Sequence, residues 1–103
     1  MQEIEAADLF GALSNADRLR IIRALVVAGP AGLSAGEIAD HMAASASRTS
    51  FHLSALAESG IVLRERQARS LRYSVDFLRI GALITFLMRD CCGNSPDLRA
   101  CCP

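Results

Sequence analysis

The hydrophobic pattern of this chain changes its period at Gly60 and again at Phe77. Before Gly60, apolar residues recur at the spacings of amphipathic helices. After it, residues 62–75 alternate between apolar and polar as strands do, and the helical spacing then returns from Phe77 onward. Helices, a pair of strands and one more helix leave few compact arrangements for a chain of 103 residues, which is long enough for a single core.

The first two helices are predicted from amphipathic spacing and from their end signals. The apolar pattern predicts a helix from Ile4 to Leu13. Ser14 is the predicted N-cap of the second helix, with Asp17 in the capping-box position. This helix is expected to stop at Gly29 and Pro30, and residues 29–33 are predicted to form a loop.

Two capped helices follow in close succession. Ser34 and Glu37 form a capping box at the start of a short helix. After a turn at residues 43–44, Ser45 is the predicted N-cap of a longer helix, which ends at Gly60 in the C′ position. The sequence therefore predicts a helix pair joined by a tight turn.

A β-hairpin rich in arginine is predicted directly after this helix pair. Its strands are residues 62–66 and 71–75, joined by a turn at 67–70. The net charge of the chain is zero, yet nine consecutive residues contain four arginines, namely Arg64, Arg66, Arg69 and Arg72. A helix pair followed by such a hairpin predicts a winged helix-turn-helix, a mainly α fold of the α+β class with the element order ααααββα.

The last predicted helix is apolar on almost every side. Asp76 is its expected N-cap, and it runs to about Asp90. Because such a helix must be covered on two sides, we expect a second subunit to cover one of them in a homodimer. The chain then divides into residues 1–92, a domain for DNA binding and dimerisation, and residues 93–103, an expected flexible tail that carries cysteines.

Several functional classes are disfavoured by what the sequence lacks. There is no basic-then-apolar leader, and the longest near-apolar stretch, Ile80–Met88, is too short to span a bilayer. We therefore expect a cytoplasmic protein without a membrane partner. No nucleophile–base pair, phosphate loop or Cys-x-x-Cys motif is recognised, so an enzyme and an organic cofactor are not expected.

The helix that begins after Ser45 is expected to enter the major groove of double-stranded operator DNA. The candidate DNA-binding residues at its start are Ser45, Ala46, Ser47, Arg48, Thr49, Ser50 and His52. Arg48 suits a bidentate contact to guanine, and the hairpin arginines suit phosphates or the minor groove. The alternative is a solvated helix start beside a solvated hairpin, but the order of all these features together favours DNA binding.

Three segments resemble the ArsR/SmtB family of metal- and metalloid-responsive repressors. They are ALSNADRLRIIRAL (residues 12–25), SRTSFHLSALAESGIV (47–62) and RSLRYSV (69–75). The resemblance covers about residues 6–90. It implies a dimer built on the first and last helices, an imperfect palindromic operator, and release from DNA when an inducer binds.

The sequence departs from this family at its usual inducer sites. Residues 32–40 lack the Cys-x-Cys pair that many members carry there, and the last helix offers Asp76 but no histidine. All four cysteines of the chain lie beyond residue 90 as two adjacent pairs, Cys91 with Cys92 and Cys101 with Cys102. In a reducing compartment, clustered thiols indicate metal binding or redox chemistry. Residues 90–93 also resemble family members whose arsenic-binding cysteines lie near the end of the last helix.

Trivalent arsenic is the leading candidate inducer. It forms three bonds in a pyramid, which two thiolates of one pair and one of the other would supply. Thiolates select soft ions in general, so Sb(III), Cd(II) and Zn(II) remain alternatives, as does a methylated arsenical that needs only two thiolates. A disulfide switch between the two pairs and a cytosolic thiol buffer for metals or metalloids are the other hypotheses.

Overall fold

The computed structural model describes residues 1–91, 93 and 95–97, and it confirms the winged helix-turn-helix. In chain order its elements are α1 (Glu3–Leu13), α2 (Ala16–Ala28), a 3₁₀ turn (Gly29–Ala31), β1 (Leu33–Ser34), α3 (Ala35–Met42), α4 (Ala46–Ser59), β2 (Val62–Gln67), β3 (Ser70–Val75) and α5 (Phe77–Thr85), which continues as a π-helical segment (Phe86–Cys91). The hairpin of β2 and β3 forms the wing.

Side-chain caps begin three of these helices where the sequence predicts them. At α3 the hydroxyl of Ser34 accepts from the backbone N–H of Glu37 at 3.2 Å, and the Glu37 carboxylate accepts from the backbone N–H of Ser34 at 2.9 Å. Ser45 caps α4 by accepting from the backbone N–H of Arg48, and Asp76 caps α5 by accepting from that of Arg79. Each cap satisfies a backbone donor that the helix leaves unpaired, which stabilises the helix by about 1 kcal/mol.

The predicted N-cap of α2 is wrong by one residue. Asn15, not Ser14, has the extended backbone of a cap, and its side chain accepts from the N–H groups of Asp17 and Arg18. The Ser14 hydroxyl instead donates to the carbonyl of Gly11 at 2.8 Å, at the end of α1. Since serine and asparagine cap equally well, where α1 ends decides between them.

The predicted loop at residues 29–33 is also corrected. It contains the 3₁₀ turn and then the start of β1, a two-residue strand whose Leu33 and Ser34 pair with Tyr73 and Arg72 of β3. The sheet is therefore three-stranded and antiparallel, in the order β1-β3-β2. A strand this short has no period that a sequence pattern could reveal.

A single apolar core lies between the helices and one face of the sheet. Its fully buried members come from α1, α2, α3, α4 and the segment before β2, and the largest are Leu9, Ile21, Leu25, Ile38, Leu53, Leu56 and Ile61. Tyr73 and Val75 cover the sheet side of the core, as their alternation predicts. This packing fixes α4 and the wing relative to each other.

Two further expectations concern membrane-spanning helices and the boundary after residue 92. None of the helices within the described residues is long and apolar enough to cross a membrane. The boundary after residue 92 stays a prediction, because position 92 and most positions after it lie outside the described residues.

Candidate nucleic-acid interface

One face of α4 is exposed along most of its length. The exposed residues recur at helical spacing and are Ser47, Ser50, Phe51, Ser54 and Glu58. Of the predicted contact residues, Ser45, Ala46, Ser47 and Ser50 lie on the accessible surface at the start of this helix. Hydroxyl groups there can reach both phosphates and base edges. This face is the part of α4 that DNA can approach.

Thr49 and His52 do not belong to this face, which corrects their assignment as DNA contacts. Thr49 is 2% exposed and His52 7%, on the same stripe as the core residues Leu53 and Leu56. The spacing 49, 52, 53, 56 is that of one buried helical face. Extending the apolar spacing of Leu53 and Leu56 back along the helix would have found both residues.

Arg48 is held by a carboxylate from another helix. Its Nε donates to Oδ2 of Asp17 at 3.0 Å, and its Nη2 donates to the same oxygen. Asp17 is 7% exposed, and its Oδ1 accepts from Nη1 of Arg20 at 3.0 Å. The hydrogen bond from Arg48 is the main cause that lowers the pKa of Asp17, against the opposing effect of desolvation. The guanidinium predicted to read guanine is therefore held by Asp17, while the Arg48 side chain remains 58% exposed.

Arg18 and Phe51 were missed by the sequence analysis, and both lie beside this ion pair. Nε of Arg18 donates to Nδ1 of His52 at 3.2 Å, and Nη1 donates to the carbonyl of Ala12 at 3.1 Å. The Arg18 guanidinium also lies 5.9 Å from the centre of the Phe51 ring. Phe51 itself is 66% exposed, a large apolar surface in the middle of the accessible face.

The wing arginines separate into two groups. Arg64, Arg66 and Arg69 are exposed on β2 and at the hairpin turn. Arg72, on β3, instead donates to the Glu37 carboxylate at 3.0 Å and to the carbonyl of Gly32 at 2.8 Å. Three arginines thus extend from the wing, whereas Arg72 braces the wing against α3, and its role as a DNA contact stays a prediction.

The hydrogen bonds of Glu37 with Ser34 and Arg72 lower the pKa of its carboxyl group. The largest cause is the hydrogen bond from the backbone N–H of Ser34 in the capping box, and the contact with Arg72 adds to it. A single carboxylate therefore both caps α3 and holds the wing.

The predicted inducer residues fall almost entirely beyond the described part of the chain. Cys91 is the last residue of the π-helical segment, and Cys92, Cys101 and Cys102 lie outside the described residues. Within the residues that are described, no three His, Cys, Asp or Glu side chains are grouped to hold a metal ion. Binding of an inducer by the four thiols stays a prediction from the sequence.

The fold and the exposed face of α4 define a winged helix-turn-helix module, and comparison with known proteins agrees. A family model described as a helix-turn-helix domain matches residues 13–65. The HTH-type transcriptional regulator YgaV of Escherichia coli is 34% identical over 88 residues, covering 85% of this chain and 87% of YgaV. A probable mercury resistance operon repressor of Streptomyces lividans is 31% identical over 95 residues, covering 92% of this chain and 74% of the repressor.

Solved structures give the same result. An ArsR-like transcriptional regulator from Rhodococcus superposes with a TM-score of 0.78 at 29% identity, over 94% of this chain and 89% of that one. A homodimeric winged helix-turn-helix domain from Mycobacterium bovis, described as a possible ArsR-family regulator, has a TM-score of 0.65 at 25% identity, over 82% and 78%. The chain belongs to the ArsR/SmtB family and is a transcriptional regulator.

Proposed function

We propose that this regulator is a repressor that binds operator DNA as a homodimer. The observation that carries the proposal is the accessible face of α4, which lies next to a wing from which Arg64, Arg66 and Arg69 extend. α4 offers hydroxyls and an aromatic ring to base edges, while the wing offers positive charge to phosphates. A repressor of Streptomyces lividans among the relatives supports the direction of the regulation.

The dimer is proposed from apolar surface that one subunit leaves exposed. On α1, Ile4 is 79% exposed, and on α5 the exposed fractions are 47% for Phe77, 88% for Leu78 and 47% for Ile84. An ion pair of 3.5 Å between Glu5 and Arg79 joins the two helices, so these side chains form one surface. A second copy of this chain would cover it, and the Mycobacterium bovis neighbour is homodimeric.

The inducer proposed for this repressor is trivalent arsenic bound by the C-terminal thiols. The support comes from the sequence, which has Cys91, Cys92, Cys101 and Cys102 in two adjacent pairs. Each thiol that binds arsenite displaces one hydroxide, which leaves as water with the thiol proton. One relative is named for mercury resistance and one neighbour for arsenical resistance, and both elements favour thiolate ligands.

Release from DNA then follows by linkage. Cys91 ends the segment that continues α5, and α5 belongs to the proposed dimer surface. A ligand that joins this pair of cysteines to the later pair would bias how two subunits pack, and hence the spacing of the two α4 helices. Coupling between sites is typically about 1–3 kcal/mol, which is enough to lower operator occupancy strongly.

The test is a titration of the reduced protein with arsenite, followed by the fluorescence anisotropy of a labelled fragment of its own promoter. We expect specific binding that weakens steeply with salt and is lost as arsenite is added. The variant Cys91→Ser/Cys92→Ser should bind DNA equally well and ignore arsenite. The corresponding variant of the second pair, Cys101→Ser/Cys102→Ser, tests whether those thiols are needed for the response to arsenite.

Other outcomes change the inducer or the function. Release by Cd(II), Sb(III), Zn(II), a methylated arsenical or mild oxidant, but not by arsenite, would keep the repressor and replace arsenic. Tight arsenite binding without any sequence-specific affinity for DNA would favour the cytosolic thiol buffer. A double serine variant that still leaves DNA on adding arsenite would contradict the proposed site.

A further inference from the structure

A groove of about 490 Å³ lies between α2 and the C-terminal end of α3. Its apolar floor includes Ala24, Leu33 and Met42, and its polar lining consists of Arg20, Arg23 and His41. Among the described residues, no carboxylate lines it. The volume falls within the range of about 300–1,000 Å³ that small-molecule sites occupy. The groove thus combines an apolar surface with positive charge on one side.

The two arginines have guanidinium N–H donors that are not used in hydrogen bonds within the described chain. Arg23 is exposed and has no ion pair or hydrogen bond with any residue of the described chain. Arg20 uses only Nη1, which donates to Oδ1 of Asp17 at 3.0 Å, and its side chain is 64% exposed. Guanidinium groups bind carboxylates through paired N–H donors, so together they offer a site for one such group.

We propose that this groove binds a small organic carboxylate, with its anionic group between Arg20 and Arg23 and its apolar body on the floor. The floor disfavours an inorganic anion, because a fully hydrated ion would leave Ala24, Leu33 and Met42 uncovered. The charge disfavours a neutral ligand, because nothing would then pair with Arg23. A DNA phosphate would satisfy the arginines but not the floor.

The groove connects directly to the recognition helix, and this second part of the inference rests on the proposed function. Arg20 and Arg48 bind opposite oxygens of the same carboxylate, Oδ1 and Oδ2 of Asp17. A ligand carboxylate that draws Arg20 away leaves Asp17 with a stronger hold on Arg48. Arg48 is then less available to DNA, so the ligand lowers operator affinity.

The probe for the groove is benzoate, added to the full chain labelled with ¹³C at its methionine methyl groups. The chain has three methionines, so Met42 reports on the floor while Met1 and Met88 serve as internal references. We expect a saturable shift of the Met42 signal only. Two controls each lack one half of the probe: benzyl alcohol has the ring without the charge, and inorganic phosphate has the charge without the ring. Each should bind at least about tenfold more weakly than benzoate, which corresponds to about 1.4 kcal/mol.

Variants separate the site from general charge effects. Arg23→Gln should abolish the Met42 shift, whereas Arg66→Gln on the wing should leave it unchanged. In the anisotropy assay, saturating benzoate should weaken operator binding about fivefold or more in the natural chain, the lower limit of typical coupling between sites. Asp17→Asn should bind benzoate and lose this effect.

Each contrary result overturns either the carboxylate site or the proposed function. A Met42 signal that does not move, or that moves equally with Arg23→Gln or with benzyl alcohol, removes the carboxylate site. If Arg23→Gln instead reduces both DNA affinity and its salt dependence while benzoate has no effect, the groove is a phosphate contact. An intact benzoate site on a protein without operator affinity would leave the site standing and refute the proposed function instead.

Discussion

At the scale of single residues, Asp17 organises the side chains around the start of α4. It accepts from Arg20 and Arg48 through different oxygens, and Nε2 of His52 lies 3.5 Å from Oδ2. Neither contact with α4 is visible in the sequence, because the residues involved are 31 or more positions from Asp17. Local patterns identify caps and faces, whereas the partner of a charged side chain depends on how distant segments fold together.

Asp17→Asn should lower the thermal stability of the protein at neutral pH. The pKa of Asp17 is lowered in the folded state, chiefly by its hydrogen bond from Arg48, so its ionised form favours folding. That contribution is present above the unfolded pKa, near pH 4, and is lost as the pH falls through the lower, folded pKa. Melting temperatures measured from pH 7 down to pH 3 should therefore converge for the two proteins. Asp40→Asn, at an exposed position of α3, is the control. A gap between Asp17→Asn and the natural chain that is as wide at pH 3 as at pH 7 would contradict this explanation.

Phe51 is predicted to contact thymine methyl groups in the major groove. It is an exposed aromatic residue on the accessible face of α4, and apolar contacts are how proteins recognise that methyl group. Replacing dT by dU in a bound promoter fragment should weaken binding about fourfold for each methyl contacted, since a buried CH₂ contributes about 0.8 kcal/mol. Phe51→Ala should bind both fragments alike, and Leu63→Ala, at an exposed apolar position on the wing, is the control. Equal sensitivity to dU in Phe51→Ala would refute the contact.

At the scale of elements, β1 shows both what the sequence predicts and what it leaves out. The capping box of Ser34 marks the start of α3 in the sequence, yet the same residue pairs with Arg72 in the sheet. The helix signal is local and strong, whereas the strand pairing depends on a partner 38 residues away along the chain. The hairpin was predicted, over residues 62–66 and 71–75, because its two strands are neighbours in sequence and the helical period is lost after Gly60. In the structure each strand is one residue longer.

Gly32→Ala should destabilise the protein by about 3 kcal/mol, combining left-handed strain with overpacking. Gly32 has φ +68°, and an added Cβ would lie 2.2 Å from the carbonyl oxygen of Tyr73. The substitution therefore pushes β1 away from β3. Urea unfolding gives the measurement, and Gly36→Ala is the matched control, because its Cβ would meet nothing closer than 4.0 Å. Gly36→Ala should stabilise α3 by about 0.5–1 kcal/mol. Equal effects of the two substitutions would contradict the close approach at Gly32.

At the scale of the whole molecule, the apolar surface of α5 was predicted from its periodicity, whereas the part of α1 in the dimer came from the family resemblance. Leu78→Asp should convert the proposed dimer to a monomer, because Leu78 is 88% exposed on that face and a buried, unpaired carboxylate is costly. Sedimentation equilibrium measures the change, and operator affinity should fall with it. Val27→Asp replaces a side chain that is 89% exposed on α2 and should leave the mass unchanged. A dimer that tolerates Leu78→Asp but not Val27→Asp would place the interface on α2 instead.

The order of the sheet also bears on whether the protein stays soluble. Its two outer strands expose unpaired backbone groups, which invite pairing with strands of other chains. β1 is only two residues long, and β2 carries Arg64, Glu65 and Arg66 in succession. Short length and charge are both ways in which natural sheets discourage aggregation. The wing arginines therefore have a second role, and neutral apolar replacements there would expose an edge prone to self-association as well as reduce the charge available to DNA.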